Sequence, residues 1–395
     1  MGNKLNIAFY IILIFTFLYS LDPFSYGFIF GYLLSFYILF NAKNLKPKFD
    51  RISISLLFFS ISYSLFYAFN PTLGTQFILI YAIIPVTFYM TGKLLYQKKK
   101  SENFNTLLLI LIGAVISLTS MISVALAIID NGYVTIKRNV PIFWTGIEIP
   151  ATNMASFFVM NMCIPGLLII GFKNLKNKWT KIILIIVYLF SLICVMRLGS
   201  RTHIAITLFA IGLAILYRFK KQDVKKNFIM FSLLFLIINL GGSYLSIKSD
   251  SDLFAAYADR MDSKTNGVSS AGGRFHKWEK SINYMFKKPL GWDLDVFGYA
   301  HNLWFDTMRV GGMISFILLL IFTILSIKSL LKLFQLRSKI FLLDGQLLIY
   351  SICFLLVFFV EPILEGYFIV FTMYCIILGF LKSHFEKLQI IEYKE

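Results

Sequence analysis

Residues 105–129, NTLLLILIGAVISLTSMISVALAII, decide the fold class. They form an apolar run that contains no charge and does not alternate with period two. At about 1.5 Å per residue, one helix of this length crosses the roughly 30 Å hydrocarbon core of a bilayer. Hydrocarbon offers no water to free N–H and C=O groups. A helix pairs them internally, so it is favoured over a strand.

Similar runs fill most of the 395 residues. The chain is 58% hydrophobic and 15% charged, and its mean hydropathy of +0.75 is too high for a soluble domain of this size. The reading is an all-α polytopic membrane helix bundle, residues 1–395 as a single membrane domain, with about twelve transmembrane helices. They are expected at 5–21, 24–41, 52–69, 72–92, 105–129, 150–172, 181–196, 203–217, 228–247, 303–327, 340–360 and 363–381. The first run resembles a signal peptide. However, no small-residue cleavage site follows, and a second run begins after Asp22-Pro23, so it is read as a membrane helix.

The net charge of +18 excludes little by itself, but its placement does. Lys and Arg fall in alternate short loops: Lys43 to Arg51, Lys93 to Lys100, Lys173 to Lys181, Arg218 to Lys226 and Lys328 to Lys339, with Lys382, Lys387 and Lys394 in the tail. The opposite turns Asp22-Pro23, Asn70-Pro71 and Glu361-Pro362 carry no base. This is a positive-inside pattern with contact to anionic lipid heads, and nucleic acid is rejected as a partner. It predicts a bacterial inner-membrane protein with both termini cytoplasmic and its active loops periplasmic. Cys163, Cys194, Cys353 and Cys375 lie inside apolar runs without metal or disulfide spacing and read as small core residues.

Two expected external segments are too long to be turns: Asp130 to Pro150 and the polar stretch 248–302. A third, within MRLGSRTH (196–203), is short but places Arg197 and Arg201 outside, against the charge rule. Gly199 permits a tight turn before a helix, and an exposed helix start beside a guanidinium suits phosphate. Anchoring of helix ends to lipid phosphate is the plainer alternative, but anchors favour the cytoplasmic side.

The long loop contains AGGRFHKWEKSINYMFKKPLGW (271–292). Phe275, Trp278, Ile282, Met285 and Phe286 recur at helical spacing opposite lysines, which predicts an amphipathic interfacial helix with Arg274 at its first turn. Arg274 is read as an anion ligand. The loop re-enters the membrane at GYAHNLWFDTMRVGG (298–312). There His301, beside Asn302 and shortly before Asp306 and Arg309, is the candidate general base, because imidazole takes up protons near neutral pH. His203 and His276 are weaker candidates, and His384 lies in the expected cytoplasmic tail. The pairs Asp250/Asp252 and Asp293/Asp295 read as chance acidic pairs in a polar loop. No metal or cofactor is expected, since no spaced His/Cys cluster or phosphate-binding loop occurs.

In this order, the turn GSRT (Arg201), the run GGR…W…PLGW (Arg274, Trp278, Pro289, Gly291) and HNLWFDTMRVGG (His301, Asn302, Gly311, Gly312) resemble the O-antigen polymerase and O-antigen ligase superfamily. The resemblance covers roughly 190–325. It implies a metal-independent glycosyltransferase acting on undecaprenyl-diphosphate-linked glycan at the periplasmic face, with a chain-length regulator protein as a further partner. By that resemblance His301 deprotonates the acceptor hydroxyl, while Arg201 and Arg274, with Arg197 and Asn302, hold the diphosphate. The family's polymerase spacing of Arg, ten residues and Gly is met once, by Arg201 and Gly212. A polymerase of O-antigen, capsular or exopolysaccharide repeat units is the preferred reading, and a ligase to lipid A-core is the alternative. The rival of another class is a lipid-linked glycan transporter or flippase. Against it, nearly every charge falls in a loop or at a helix end, whereas transporters place ionisable groups near the midplane.

Overall fold

The computed structural model describes residues 2–41, 49–96, 100–132, 139–171, 178–219, 221–229, 231–232, 274–336 and 341–392. In chain order its helices are α1 Gly2–Leu21, α2 Gly27–Phe40, α3 Arg51–Tyr67, α4 Gln76–Leu95, α5 Glu102–Asn131, α6 Ala151–Ser156, α7 Val159–Met162, α8 Ile164–Gly171, α9 Lys178–Arg197, α10 Arg201–Phe219, α11 Arg274–Lys287, α12 Leu303–Leu336, α13 Leu342–Val360, α14 Ile363–Gly366 and α15 Phe368–Glu392. A short antiparallel ladder, Val140–Pro141 with Glu148–Ile149, sits between α5 and α6 in sequence.

The protein is a multi-pass, largely α-helical membrane protein, but the expectation of about twelve spans is corrected. Among the described residues, seven helices are long and apolar enough to cross a bilayer, and three shorter apolar helices are Ile7–Leu21, Gly27–Phe40 and Arg51–Tyr67. The expected span 150–172 is instead broken into α6, α7 and α8. Pro165 cannot donate a backbone hydrogen bond, and the breaks fall on the buried residues Phe158 and Cys163. Irregular backbone survives at such depth only where protein covers it, and here the Thr207 hydroxyl donates to the Met162 carbonyl at 3.1 Å. The expected span 228–247 lies mostly outside the described residues, as do 248–273 of the long loop and the basic stretches 42–48, 172–177 and 337–340.

The chain divides into two compact units. Unit one holds residues 1–105, 273–333 and 354–395, and unit two holds 106–272 and 334–353.

In unit one, α3 starts with a capping box. The Asp50 carboxylate accepts from the Ile52 and Ser53 N–H groups at 3.0 and 3.1 Å, and the Asp50 N–H donates to the Ser53 hydroxyl at 2.8 Å. Tyr81 meets Tyr63 and Tyr67 edge-on at 5.1 and 5.0 Å, all three buried. Two of the polar tips are tied down too: Tyr81 donates to the Leu364 carbonyl at 3.0 Å, and Tyr67 accepts from the Leu73 N–H at 2.8 Å. Serines link the helices. Ser62 bonds Ser315 across α3 and α12 at 2.8 Å, and Ser64 donates to the Ile78 carbonyl of α4 at 2.6 Å.

Unit two is organised by a buried polar knot. The Asn161 amide donates to Ser117 of α5 at 2.7 Å and to Ser191 of α9 at 3.0 Å. Tyr217 both donates to the Phe341 carbonyl and accepts from its N–H, at 3.2 and 3.1 Å. All four cysteines are buried and unbridged.

Candidate functional site

Two sequence motifs meet in unit one through their backbones. Inside α12, Gly312 leaves helical geometry at φ +63°, ψ −172°, a region open essentially only to glycine. The break frees the Arg309 carbonyl, which accepts from the Trp292 N–H at 2.9 Å, while the Met313 N–H donates to the Pro289 carbonyl at 2.8 Å. The PLGW segment is thereby fastened to the helix that follows His301. A β-carbon on Gly312 would stand 2.9 Å from the Pro289 carbonyl oxygen. We therefore expect Gly312→Ala to destabilise the fold by about 2–4 kcal/mol, read as a lowered midpoint of thermal unfolding.

Next to this junction α11 docks by a narrow strip. Met285 packs with Trp292 and Met308, and the Trp278 indole N–H donates to the Ala300 carbonyl at 2.9 Å. Phe275, Ile282 and Phe286 of the expected apolar face remain exposed.

His301 stands immediately before α12 in a left-handed conformation, φ +54°. That conformation is uncommon for a residue with a β-carbon, and its neighbours hold it there. The buried Asp306 carboxylate accepts from the Ala300 N–H at 2.7 Å and from the Asn302 N–H at 3.1 Å, so it clamps the chain on both sides of His301. Asn302 caps α12: its side-chain oxygen accepts from the Trp304 and Phe305 N–H groups at 3.1 and 3.3 Å. Its amide donates to the Phe359 carbonyl at 3.4 Å.

The His301 ring points its Nδ1 toward Glu361, 3.9 Å from Oε2. Glu361 is 3% exposed, and its other oxygen, Oε1, lies 3.3 Å from the Arg274 guanidinium. His301 Nδ1 is buried without a hydrogen bond although the side chain is 34% exposed, so the open edge of the ring includes Nε2. A carboxylate facing Nδ1 favours the tautomer that keeps Nε2 free to accept a proton. Arg274 keeps further N–H donors for an anion beyond the one it directs at Glu361.

Behind this cluster a second ion pair is buried. Arg309 bonds Glu365, and both side chains are almost fully enclosed. Thr72 donates to Glu365 at 3.1 Å, and the Arg309 guanidinium lies 5.4 Å from the Tyr299 ring. Burial, more than any neighbouring charge, raises the Tyr299 hydroxyl above its usual range, and Arg309 partly offsets this. A cavity of about 380 Å³ opens beside the pair, with walls that include Phe66, Phe69, Trp292, Asn70 and Asp293. The Trp292 Nε1 and Arg309 Nε are buried without a hydrogen-bond partner.

Of the residues singled out by sequence, Arg274, His301 and Asn302 thus come together in unit one. Arg197 and Arg201 belong to unit two. Arg197 is buried and donates to the Gly132 carbonyl at 2.8 Å. Arg201 begins α10 after the left-handed Gly199, φ +60°. Beside it Ser200 bonds the fully buried His203 at 2.7 Å. His276 is exposed near Glu279, and His384 is buried against the Tyr96 hydroxyl at 2.9 Å. Asp293 of the acidic pairs accepts from the Asn70 amide at 3.0 Å, while Asp250 and Asp252 lie outside the described residues. Among the described residues, no group of His, Cys, Asp and Glu has metal-site geometry.

Sequence reasoning missed Glu361, read as part of the baseless turn Glu361-Pro362, and Glu365, which falls inside the expected span 363–381. The available signal was an acidic residue on either side of Pro362 in a chain with only 20 acidic residues. Asp306 was noticed only for its spacing. Its carboxylate holds the backbone on both sides of His301. In Asp306→Asn one of the two accepting oxygens becomes an amide N–H group that cannot accept from a backbone N–H, so we expect a lowered midpoint of thermal unfolding.

No protein-family model matches the chain, and no curated protein matches it.

Proposed function

We propose that this membrane protein is a metal-independent glycosyltransferase using a polyprenyl-diphosphate-linked glycan, of the O-antigen polymerase and ligase type. The observation that carries the reading is His301, held between two backbone clamps with Nδ1 toward the buried Glu361 and its Nε2 edge open. In the reaction Nε2 takes the proton of an acceptor hydroxyl. The acceptor oxygen bonds to the anomeric carbon, and the bond from that carbon to the diphosphate breaks. Its electron pair leaves with the polyprenyl diphosphate, whose added charge Arg274 meets. Glu361 orients the imidazole and supports the cation it becomes. The cavity beside Arg309 offers aromatic faces and hydrogen-bonding groups, the combination that sugar rings use. The part of Arg201 in anion binding rests on sequence position alone.

Repeat-unit polymerisation is the preferred reaction, with undecaprenyl diphosphate as carrier at the periplasmic face of a bacterial inner membrane. The test is to incubate purified protein with lipid-linked repeat units, with and without lipid A-core. A ladder of products without core identifies a polymerase. A product that needs core identifies a ligase. Binding without any product in either arm would reject the transferase and favour a lipid-linked glycan transporter.

A further inference from the structure

Unit one has a second cavity, of about 610 Å³, near the end of α12 remote from His301. Three helices wall it: α3 at its start, α12 from Leu325 to Lys332, and α15 from Lys382 to Gln389. Four cations line it, Arg51, Lys328, Lys332 and Lys382, against one carboxylate, Asp50.

That carboxylate is already engaged. Asp50 takes a salt bridge from Lys93 at 2.7 Å and the Tyr89 hydroxyl proton, shared between its two oxygens at 3.0 and 2.9 Å, besides capping α3. Burial is the largest single influence on the Asp50 carboxyl and by itself would raise its pKa. The Lys93, Ser53 and Tyr89 contacts outweigh burial and hold the carboxyl below its usual range. Glu386, just outside the lining, is shared at 3.8 Å between Lys93 and Lys382. Among the described residues, no carboxylate pairs with Arg51, Lys328 or Lys332.

Lys328 and Lys332 are also four residues apart on one helix, a spacing at which like charges repel. That spacing puts both lysines on one face, and from a second and a third helix Arg51 and Lys382 line the same concavity. An anion within it would relieve the repulsion of the whole set. The surface beside it is apolar: Ile324, Ile327 and Leu331, on the same face of α12 as Lys328, are exposed, as is Ile390 of α15. Basic pockets next to apolar helix faces suit amphiphiles with an anionic head.

We infer that this cavity binds the phosphate headgroup of an anionic membrane lipid, with its acyl chains along Ile324, Ile327 and Leu331. A free phosphate ion shares the headgroup's charge, but it would leave that apolar face unused. The site is separate from the His301 cluster and does not depend on the proposed reaction.

The test uses the full chain in nanodiscs of phosphatidylcholine alone or mixed with phosphatidylglycerol. For the wild type, phosphatidylglycerol should raise the unfolding midpoint by about 2–4 °C. Native mass spectrometry should find it retained. In the triple variant R51Q/K328Q/K332Q the shift and the retention should both vanish. In phosphatidylcholine alone, that variant should be at least as stable as the wild type, because repulsion has been removed. If the triple variant does not fold, Lys332→Gln alone should reduce the shift. Equal shifts in wild type and variant, or none in either, would overturn the inference. A shift produced as fully by inorganic phosphate in phosphatidylcholine would replace the lipid with a soluble phosphate.

Discussion

By the proposed reaction, His301→Asn should lower the rate of glycosyl transfer by about 10²–10⁴-fold, the range general-base catalysis contributes. Asparagine is the informative replacement. It tolerates the left-handed backbone that His301 adopts at φ +54°, so the clamp by Asp306 can persist. It cannot accept a proton at neutral pH. Unfolding midpoint and affinity for the lipid-linked donor should therefore stay close to wild type while product formation collapses. Alanine at the same position mixes backbone strain with the loss of the base and would be harder to interpret. A variant that polymerises at the wild-type rate would remove His301 from the chemistry and leave the Arg274 and Glu361 contacts as structural.

Breaking the Arg309–Glu365 pair should be the most damaging change to stability. Both side chains are enclosed, at 3% and 2% exposure, so either one left alone is a charge without water. Arg309→Met or Glu365→Gln should cost about 3–5 kcal/mol, seen as early thermal unfolding in detergent. The double replacement Arg309→Met with Glu365→Met should recover most of that loss, because the expense of a buried pair lies mainly in stranding one partner. If the double variant is as damaged as the sum of the singles, the two residues act through separate contacts. Thr72 on Glu365 and Tyr299 beside Arg309 would then be the places to look.

The membrane class was readable from runs such as 105–129, because a bilayer demands about twenty apolar residues per helix and local composition reports that directly. The number of spans was not. An apolar stretch such as 150–172 reads the same whether it forms one helix or three short ones. The difference depends on whether neighbours such as Thr207 satisfy the backbone groups a break exposes.

The candidate site divides in a similar way. His301, Asn302 and Arg274 were legible because each is a polar residue where the chain meets the membrane, beside glycines or a helix start. Glu361 and Glu365 were not, since Glu361 lies about 60 residues from His301 and about 90 from Arg274, and Glu365 more than 50 from Arg309, separations no local pattern encodes. The left-handed His301 was equally invisible, because sequence names the residue and not the clamp that holds it. The Pro289 and Gly291 of PLGW were readable as a break, whereas RVGG fell inside the expected span 303–327. That the two breaks bond to each other, through Trp292 to Arg309 and Met313 to Pro289, was decided by tertiary packing. Sequence alone determined that the chain enters the bilayer and which side chains stand at its ends, since both follow from transfer free energy residue by residue. Tertiary structure decided which acids face which bases, because burying a charge is tolerable only where a partner from elsewhere in the chain arrives to meet it.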